Sequence, residues 1–299
     1  VDVPARVRAP GQEVHLDAFA AGDRWLVTSP EYAMKRLCGA GFERIVSIGK
    51  CWRAEERGPH HEPEFTMIEW YRARAPLDDI AADCEALVGV AAAAAAGTDA
   101  RSHGQGGASP NVLARFARPF ARTTVRELLR AHAGITLDGD EAAVALADKA
   151  RAAGVAVGGA TAWDDVFFQI WLDRVEPRLA EAGPTFVFDW PAPLGALARR
   201  RAEDPRLVER FELYAGGLEL ANAFGELTDP DEQRARFQAE SLARRSRGKV
   251  VYPVDEALLS ALARMPPTSG VALGFDRLLM LVLGAPSLRE VMAFADDEI

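Results

Sequence analysis

The stretch Cys51–Tyr71, CWRAEERGPHHEPEFTMIEWY, decides the fold. It packs two arginines, two adjacent histidines, five glutamates and four aromatics into one short segment. Its ends are strand-like, with Trp52 before the charged part and Phe65, Met67, Ile68, Trp70 and Tyr71 after it. The middle, Glu56 to Pro63, carries the turn formers Gly58, Pro59 and Pro63. Two strands joined by a polar turn predict a hairpin. Period-two alternation puts Arg53 and Glu55 on one face of its first strand, and Glu69 and Tyr71 on one face of its second. A surface hairpin needs no such density of charge and aromatics, whereas a site for a triphosphate and a charged small molecule does.

Outward from the hairpin, the flanks set the bounds. The 299 residues suffice for one large domain or two ordinary ones, and 49% apolar content gives material for a sizeable core. A net charge of −9 argues against broad electrostatic capture of nucleic acid, which relies on Lys and Arg neutralising phosphates. Cys38, Cys51 and Cys84 have no metal-ligand spacing and are expected as buried, reduced thiols of a cytoplasmic protein. No signal peptide and no apolar run long enough to span a bilayer is expected, so no membrane partner is.

Before the hairpin, residues 1–11 and Arg24–Val27 are strand-like. Thr28-Ser29-Pro30 reads as a helix start with a Ser or Thr cap, followed by Glu31, Met34, Lys35, Leu37 and Cys38 at helical spacing. Ile45–Ile48 is a further strand. From Pro76 the character changes: an amphipathic helix carries Ile80, Cys84, Leu87 and Val88 on one face. An alanine tract and a Gly/Ser-rich stretch over 97–111, expected as a flexible loop, follow. Three helical patterns (124–133, 141–153 and 163–182) complete a block, 76–183, expected as a largely helical insertion in a single catalytic domain over 1–299. Strands return at Thr185–Phe188. FELYAGGLELANAFGEL (211–227) reads as a second hairpin around Gly216-Gly217, with a helix after Asp229. SGVALGFDRLLMLVL (269–283) reads as a strand, a Gly bend and an apolar helix.

A tight turn between Glu212 and Glu219 lets both carboxylates face one cavity, where a hard divalent cation such as Mg²⁺ takes oxygen ligands. Arg53 and Arg277 can clamp phosphates, and Phe65 with Arg277 can sandwich an adenine. Any one of these residues alone reads as an exposed strand charge; three segments ending in paired acids and arginines read as a site. His15, His103 and His132 are read as incidental, and one of His60 and His61 as a phosphate contact. There is neither a P-loop nor a GxGxxG motif.

Together the three segments resemble the class II aminoacyl-tRNA synthetases. TSPEYAMKRL, HEPEFTMIEWY, ELANAFGELTD and GVALGFDRLLML resemble the lysyl-tRNA synthetase group within that class. More narrowly they resemble its short members that attach lysine to elongation factor P. The resemblance covers nearly the whole chain in the right order. It implies an α+β fold, a mostly antiparallel sheet flanked by helices, and a homodimer. It implies an ATP- and Mg²⁺-dependent ligase forming an aminoacyl-adenylate of lysine or β-lysine, with elongation factor P as acceptor. The chain leaves no room for an N-terminal anticodon-binding domain, so extended tRNA binding is not expected. The protein-modifying members share Ala272, which would alter the floor of the amino-acid pocket.

By the same resemblance, Arg53 meets the α-phosphate and the substrate carboxylate, Glu55 the adenine amino group, His61 the outer phosphates and Phe65 the adenine face. Arg277 covers the opposite face and reaches the γ-phosphate, and Glu212 and Glu219 bind Mg²⁺. Ser29 and Glu31 meet the amino group near the reacting carboxylate. Glu226, Glu69 and Tyr71 hold the ε-ammonium, and Asn222 touches the carboxylate. Ala54, Glu62, Ala223, Pro193 and Leu194 depart from the usual pattern. Ala54 and Ala223 are expected to reshape the pocket, and Glu62 to add negative charge near the phosphates. These departures leave open another amino acid or acceptor, or a non-catalytic amino-acid-binding paralogue.

Overall fold

A computed structural model describes residues 1–98, 114–160 and 162–298; residues 99–111 of the Gly/Ser-rich stretch, with His103, and Thr161 lie outside them. Three short strands, β1 (Arg6–Val7), β2 (Ala20–Ala21) and β3 (Arg24–Leu26), pair antiparallel in the order β1-β3-β2. They lead into α1 (Glu31–Gly39). Pro30, not Ser29, takes the cap position, while the Ser29 hydroxyl one residue earlier accepts from the Glu31 N–H at 3.0 Å. Met34 and Cys38 bury the apolar face of α1, and so does Lys35, only 1% exposed.

The central hairpin is formed by β4 (Arg44–Trp52) and β5 (Glu64–Ala73), paired from Arg44↔Arg72 to Trp52↔Glu64. Its first strand ends at Trp52, so Arg53 and Glu55 lie beyond the ladder rather than on a strand face. Glu55 has φ +69°, uncommon for a residue with a Cβ, and strand alternation therefore cannot orient it. Glu69 and Tyr71 do share a face, and both are buried.

The amphipathic pattern after Pro76 forms α2 (Leu77–Thr98). Its Leu77–Gly97 portion has mean hydropathy 1.5, long and apolar enough to cross a membrane by length and composition, so that expectation is corrected. Ile80, Cys84, Val88 and Ala92 are instead buried against the sheet. Strand β6 (Ala121–Thr124), not foreseen, precedes α3 (Val125–Leu128). A capping box starts α3, with Thr124 and Glu127 satisfying each other's backbone N–H, and the helix continues as a π turn to Ala133. Helices α4 (Ala143–Ala152), α5 (Trp163–Ile170) and α6 (Glu176–Glu181), the last two joined by a π turn, match the remaining helical patterns.

Strands β7 (Thr185–Pro191), β8 (Leu207–Ala215) and β9 (Leu218–Gly225) follow. The β8–β9 turn holds Gly216 and Gly217 at φ +59° and +81°, the pair of positive angles a two-residue turn of this hand demands. A Cβ at Gly217 would also sit 2.9 Å from the Ala180 methyl. Helix α7 (Pro230–Ser246) is capped by Asp229, and α8 (Glu256–Leu262), β10 (Thr268–Gly274) and α9 (Phe275–Leu283) follow, with two short 3-10 turns after them.

The main sheet runs β4-β5-β10-β9-β8-β7-β6, antiparallel at every step except β6 on β7. One face carries Ile68, Phe186, Phe211, Leu213, Val271 and Leu273 against α2 and α9. The other packs Trp190, Val187 and Tyr214 against α5 and its π turn, and is left polar toward its β5 side. That polar floor is where the chemistry-bearing residues converge. All three cysteines are free and buried, as expected.

Candidate active site

Register alone assembles the floor. Ala272 stands opposite Glu69 on one side and Asn222 on the other, and Asn222 stands opposite Glu212. One row across four strands thus reads Glu69, Ala272, Asn222, Glu212. At a strand spacing of about 4.8 Å its two acids lie roughly 14 Å apart. The neighbouring row reads Tyr71, Gly270, Phe224, Arg210. A register shift at Leu213/Tyr214 is what lets Glu219 and Asn222, an odd number of residues apart, share this face: Leu220 and Ala221 both turn to the opposite core. Ala223 also lies in that opposite core, fully buried, so its methyl does not shape the pocket as expected. Strand alternation is the reason.

One end of the row is acidic and dry. Ser29 donates to Glu69 Oε1 at 2.5 Å, and the Tyr71 hydroxyl donates to Oε2 at 3.1 Å. Burial, reinforced by Glu31, pushes the Glu69 carboxyl up to about 8. Glu226, just past β9, is 1% exposed, and its Oε1 has no hydrogen-bond partner. The Lys35 ammonium lies 2.6 Å from Glu226 Oε2 and 2.7 Å from Glu31 Oε1. Burial pushes the Glu226 carboxyl upward, and Lys35 is the strongest pull against that. Burial works against the Lys35 charge, yet Glu226 and then Glu31 push that ammonium up to about 12. An ammonium between two carboxylates at these distances is the charged arrangement. Glu31 and Glu226 thus share the Lys35 ammonium, and the Ser29 hydroxyl joins the Glu31 N–H to the Glu69 carboxyl, at 3.0 and 2.5 Å.

Gly270 is the floor beneath that cluster. A Cβ there would lie 2.3 Å from Tyr71 ring carbons and 2.7 Å from Glu226 Oε1. Gly270→Ala is expected to displace the Tyr71 ring and break its 3.1 Å hydrogen bond to Glu69. A crystal structure of the variant checks this; an unmoved Tyr71 ring would contradict it.

Along β5 from Glu69 toward Phe65 and the β4–β5 turn, the site becomes cationic. Arg53 sends its Nε toward the Thr28 carbonyl at 3.4 Å and carries its guanidinium 5.1 Å from the Phe65 ring centroid. Arg277, at the start of α9, donates to the Glu219 carbonyl at 2.7 Å and to the His60 carbonyl at 3.3 Å, and its Nη2 meets His61 Nε2 at 2.8 Å. Partial burial and then Arg277 push His61 below the usual imidazole value, so it is neutral and accepts from Arg277. Asp276 anchors this corner by accepting the Thr66 N–H at 2.6 Å. Glu55 is exposed beside the turn.

Glu212 is not open to solvent. Arg210 holds Oε1, the Tyr214 hydroxyl donates to Oε2 at 2.6 Å, and Arg210 stacks 4.5 Å over Trp190. Burial and then Glu219 push its carboxyl up to about 8. The Glu219 charge beside the buried Glu212 marks a place with negative charge to spare, which a divalent cation relieves.

The chain matches the family model for tRNA synthetases class II (D, K and N) over residues 10–298. This chain belongs to that family. The expected α+β class II synthetase fold and the expected ligase class both stand. Its curated relatives include the elongation factor P–(R)-β-lysine ligase of Erwinia tasmaniensis, 37% identical over 99% of this chain and 88% of that protein. The ligase of the same name from Salmonella gallinarum is 36% identical over the same shares.

In this class II chain the structure gathers Ser29, Glu31, Glu69, Tyr71, Asn222, Glu226 and Ala272 at one end. It gathers Arg53, Phe65, His61 and Arg277 toward the β4–β5 turn, with Glu212 at the far end of the row. Residues the sequence reading passed over are Lys35, Arg210 and the half-buried Glu13. Burial, then Glu31, push the Glu13 carboxyl up to about 7, while Arg53 and Arg210 draw it down. The signals were present: Lys35 follows Glu31 by four positions amid an apolar helix face, and Arg210 precedes Glu212 by two on a strand. Of the departures, Ala54 bridges by its backbone to Asp17, and Leu194 is buried with its carbonyl accepting from Arg210 at 2.6 Å. Glu62 accepts from the Asp296 N–H at 3.4 Å and lines a cavity of about 430 Å³ with Arg57 and Arg289. Its charge is turned toward the C-terminal segment. His15 is engaged by Asp164 at 2.9 Å.

Proposed function

We propose that this chain uses ATP to activate lysine or (R)-β-lysine as an aminoacyl-adenylate and transfers it to a lysine of elongation factor P. The reading takes in one catalytic domain over 1–299, a homodimer, and a reducing, cytoplasmic setting that suits three unpaired thiols. What carries it is the orphaned Glu226 Oε1 beside Gly270, in one buried acid cluster with Glu69 and Tyr71: an unpartnered carboxylate oxygen of the kind an ammonium satisfies. The names of the relatives point the same way, and a net charge of −9 suits a protein acceptor better than a long nucleic acid.

The chain's own groups then divide the work. Glu226, Glu69 and Tyr71 hold the ε-ammonium, and Ser29 and Glu31 the second amino group. Asn222 and Arg53 orient the carboxylate for in-line attack on the α-phosphorus, from which pyrophosphate departs. Arg53 and Arg277 neutralise charge developing on the phosphates, and Phe65 and Arg277 enclose the adenine, with Glu55 at its amino group. His61 contributes a hydrogen bond to the outer phosphates. Glu212 and Glu219 would hold Mg²⁺, which supplies further neutralisation of phosphate charge when bound. The acceptor amine next attacks the acyl carbon, releasing AMP and a proton. No covalent enzyme intermediate is required.

Amino-acid-dependent ATP–pyrophosphate exchange with α-lysine, (R)-β-lysine, ornithine and arginine tests this; strong exchange with a lysine isomer is expected, followed by transfer to elongation factor P. Absence of exchange in a folded, ATP-binding protein would overturn it. A pH dependence follows from Glu69. Its carboxyl, raised to about 8 in the free protein, is mostly protonated at pH 7. A bound ammonium lowers it again, so lysine binding at pH 7 releases protons, and affinity rises as pH rises through the raised value. Calorimetry in buffers of different ionisation enthalpy reads the proton count; proton uptake would contradict the assignment.

A further inference from the structure

Lys35 is a buried cation inside a site built to bind cations. Its ammonium takes one oxygen of Glu226 and one of Glu31, at 2.6 and 2.7 Å, and leaves Glu226 Oε1 without a partner. Oε1 lies close against Gly270 and Tyr71, near enough that a Cβ on Gly270 would stand 2.7 Å from it. A carboxylate at 1% exposure loses its charge unless a cation stands against it. The charged groups around Glu226 are Glu31 and Lys35 of α1, Glu69 of β5 and Arg199 of the segment before β8; the hydroxyl of Tyr71 and the thiol of Cys38, both held neutral, complete the surroundings.

We propose that Lys35 is a positioning residue for amino-acid selection: it holds Glu226 as an anion through one oxygen and so presents the other, already charged, to the ε-ammonium of a diamino acid. The three carboxylates Glu31, Glu69 and Glu226 with one resident ammonium leave two negative charges, matching the two ammonium groups of such a substrate. This rests on the lysine-type reading above. A monoamino acid would leave Oε1 uncompensated, so Lys35 sharpens selection for a second amine without touching the substrate.

Kinetics of Lys35→Met, Glu226→Gln and the double variant test this. Lys35→Met should raise the KM for the amino acid roughly 10- to 100-fold at pH 7 with the KM for ATP unchanged. It should recover part of that loss at higher pH, because Glu226 without its cation ionises only there. In the Glu226→Gln background, Lys35→Met should add no further loss. Unchanged amino-acid KM and pH profile in Lys35→Met, or a full further loss in the double variant, would overturn the proposal. Lys35→Gln, which keeps a donor between the two carboxylates, serves if the Met variant does not fold. A ¹³C NMR titration of the Glu226 carboxyl needs no turnover. A higher midpoint without Lys35 supports the proposal and an equal one overturns it, even if the wild-type protein shows no exchange with any lysine isomer and the substrate reading falls.

Discussion

Glu226→Gln is expected to weaken amino-acid binding by at least about 100-fold, or ~2.7 kcal/mol, while ATP binding is essentially unchanged. The carboxylate is 1% exposed, and its unpartnered oxygen lies beside Gly270 and Tyr71, where the substrate ammonium is proposed to bind. An ammonium drawn there surrenders its hydration and needs a full negative charge in return. The amide offers the same shape with only a dipole. Folding should survive, because Lys35 keeps Glu31 at 2.7 Å as a partner. Isothermal titration with lysine and, separately, with a non-hydrolysable ATP analogue measures both halves. Lysine affinity equal to that of the wild type would remove Glu226 from the pocket, and parallel loss of both ligands would indicate collapse of the floor rather than loss of a charge.

The sequence made the floor's membership legible but not its electrostatics. Cys51–Tyr71 and Phe211–Leu227 announce hairpins by turn residues and alternation, and the structure builds both, so Glu69, Tyr71 and Glu212 could be set on strand faces in advance. Alternation misleads where the ladder stops or slips. Arg53 and Glu55 fall past the end of β4, where a residue at φ +69° breaks the period. Ala223 follows strict alternation into the opposite core, so the substitution there is silent toward the site. Lys35 was hidden for a different reason. A lysine four residues after a glutamate is ordinarily a solvated helix pair, and only the arrival of Glu226 from β9, 191 positions later in the chain, makes it a buried bridge. Long-range pairing of charge leaves no local trace. The same holds for β6, whose four residues join the sheet only because β7 offers an open parallel edge.

Arg277→Lys is expected to lower the rate of adenylate formation about 100- to 1,000-fold and to raise the KM for ATP, without altering amino-acid affinity measured in the absence of nucleotide. The guanidinium reaches three partners from one planar fork: the Glu219 carbonyl at 2.7 Å, the His60 carbonyl at 3.3 Å and His61 at 2.8 Å. It thereby ties the turn of the first hairpin to the second hairpin, across the space where the triphosphate is proposed to lie. Lysine keeps the charge but is a point donor on a flexible stem and cannot span the three at once. The turn would then lose its hold on α9, and His61, kept neutral partly by Arg277, would become easier to protonate. A rise in the apparent pKa of His61 by NMR in the variant is therefore a second expected result, independent of turnover. Exchange rates near wild type would confine Arg277 to a structural tie. A loss of lysine binding alongside the loss of rate would mean that the acid cluster and the phosphate side are coupled through the floor and do not act as separable halves.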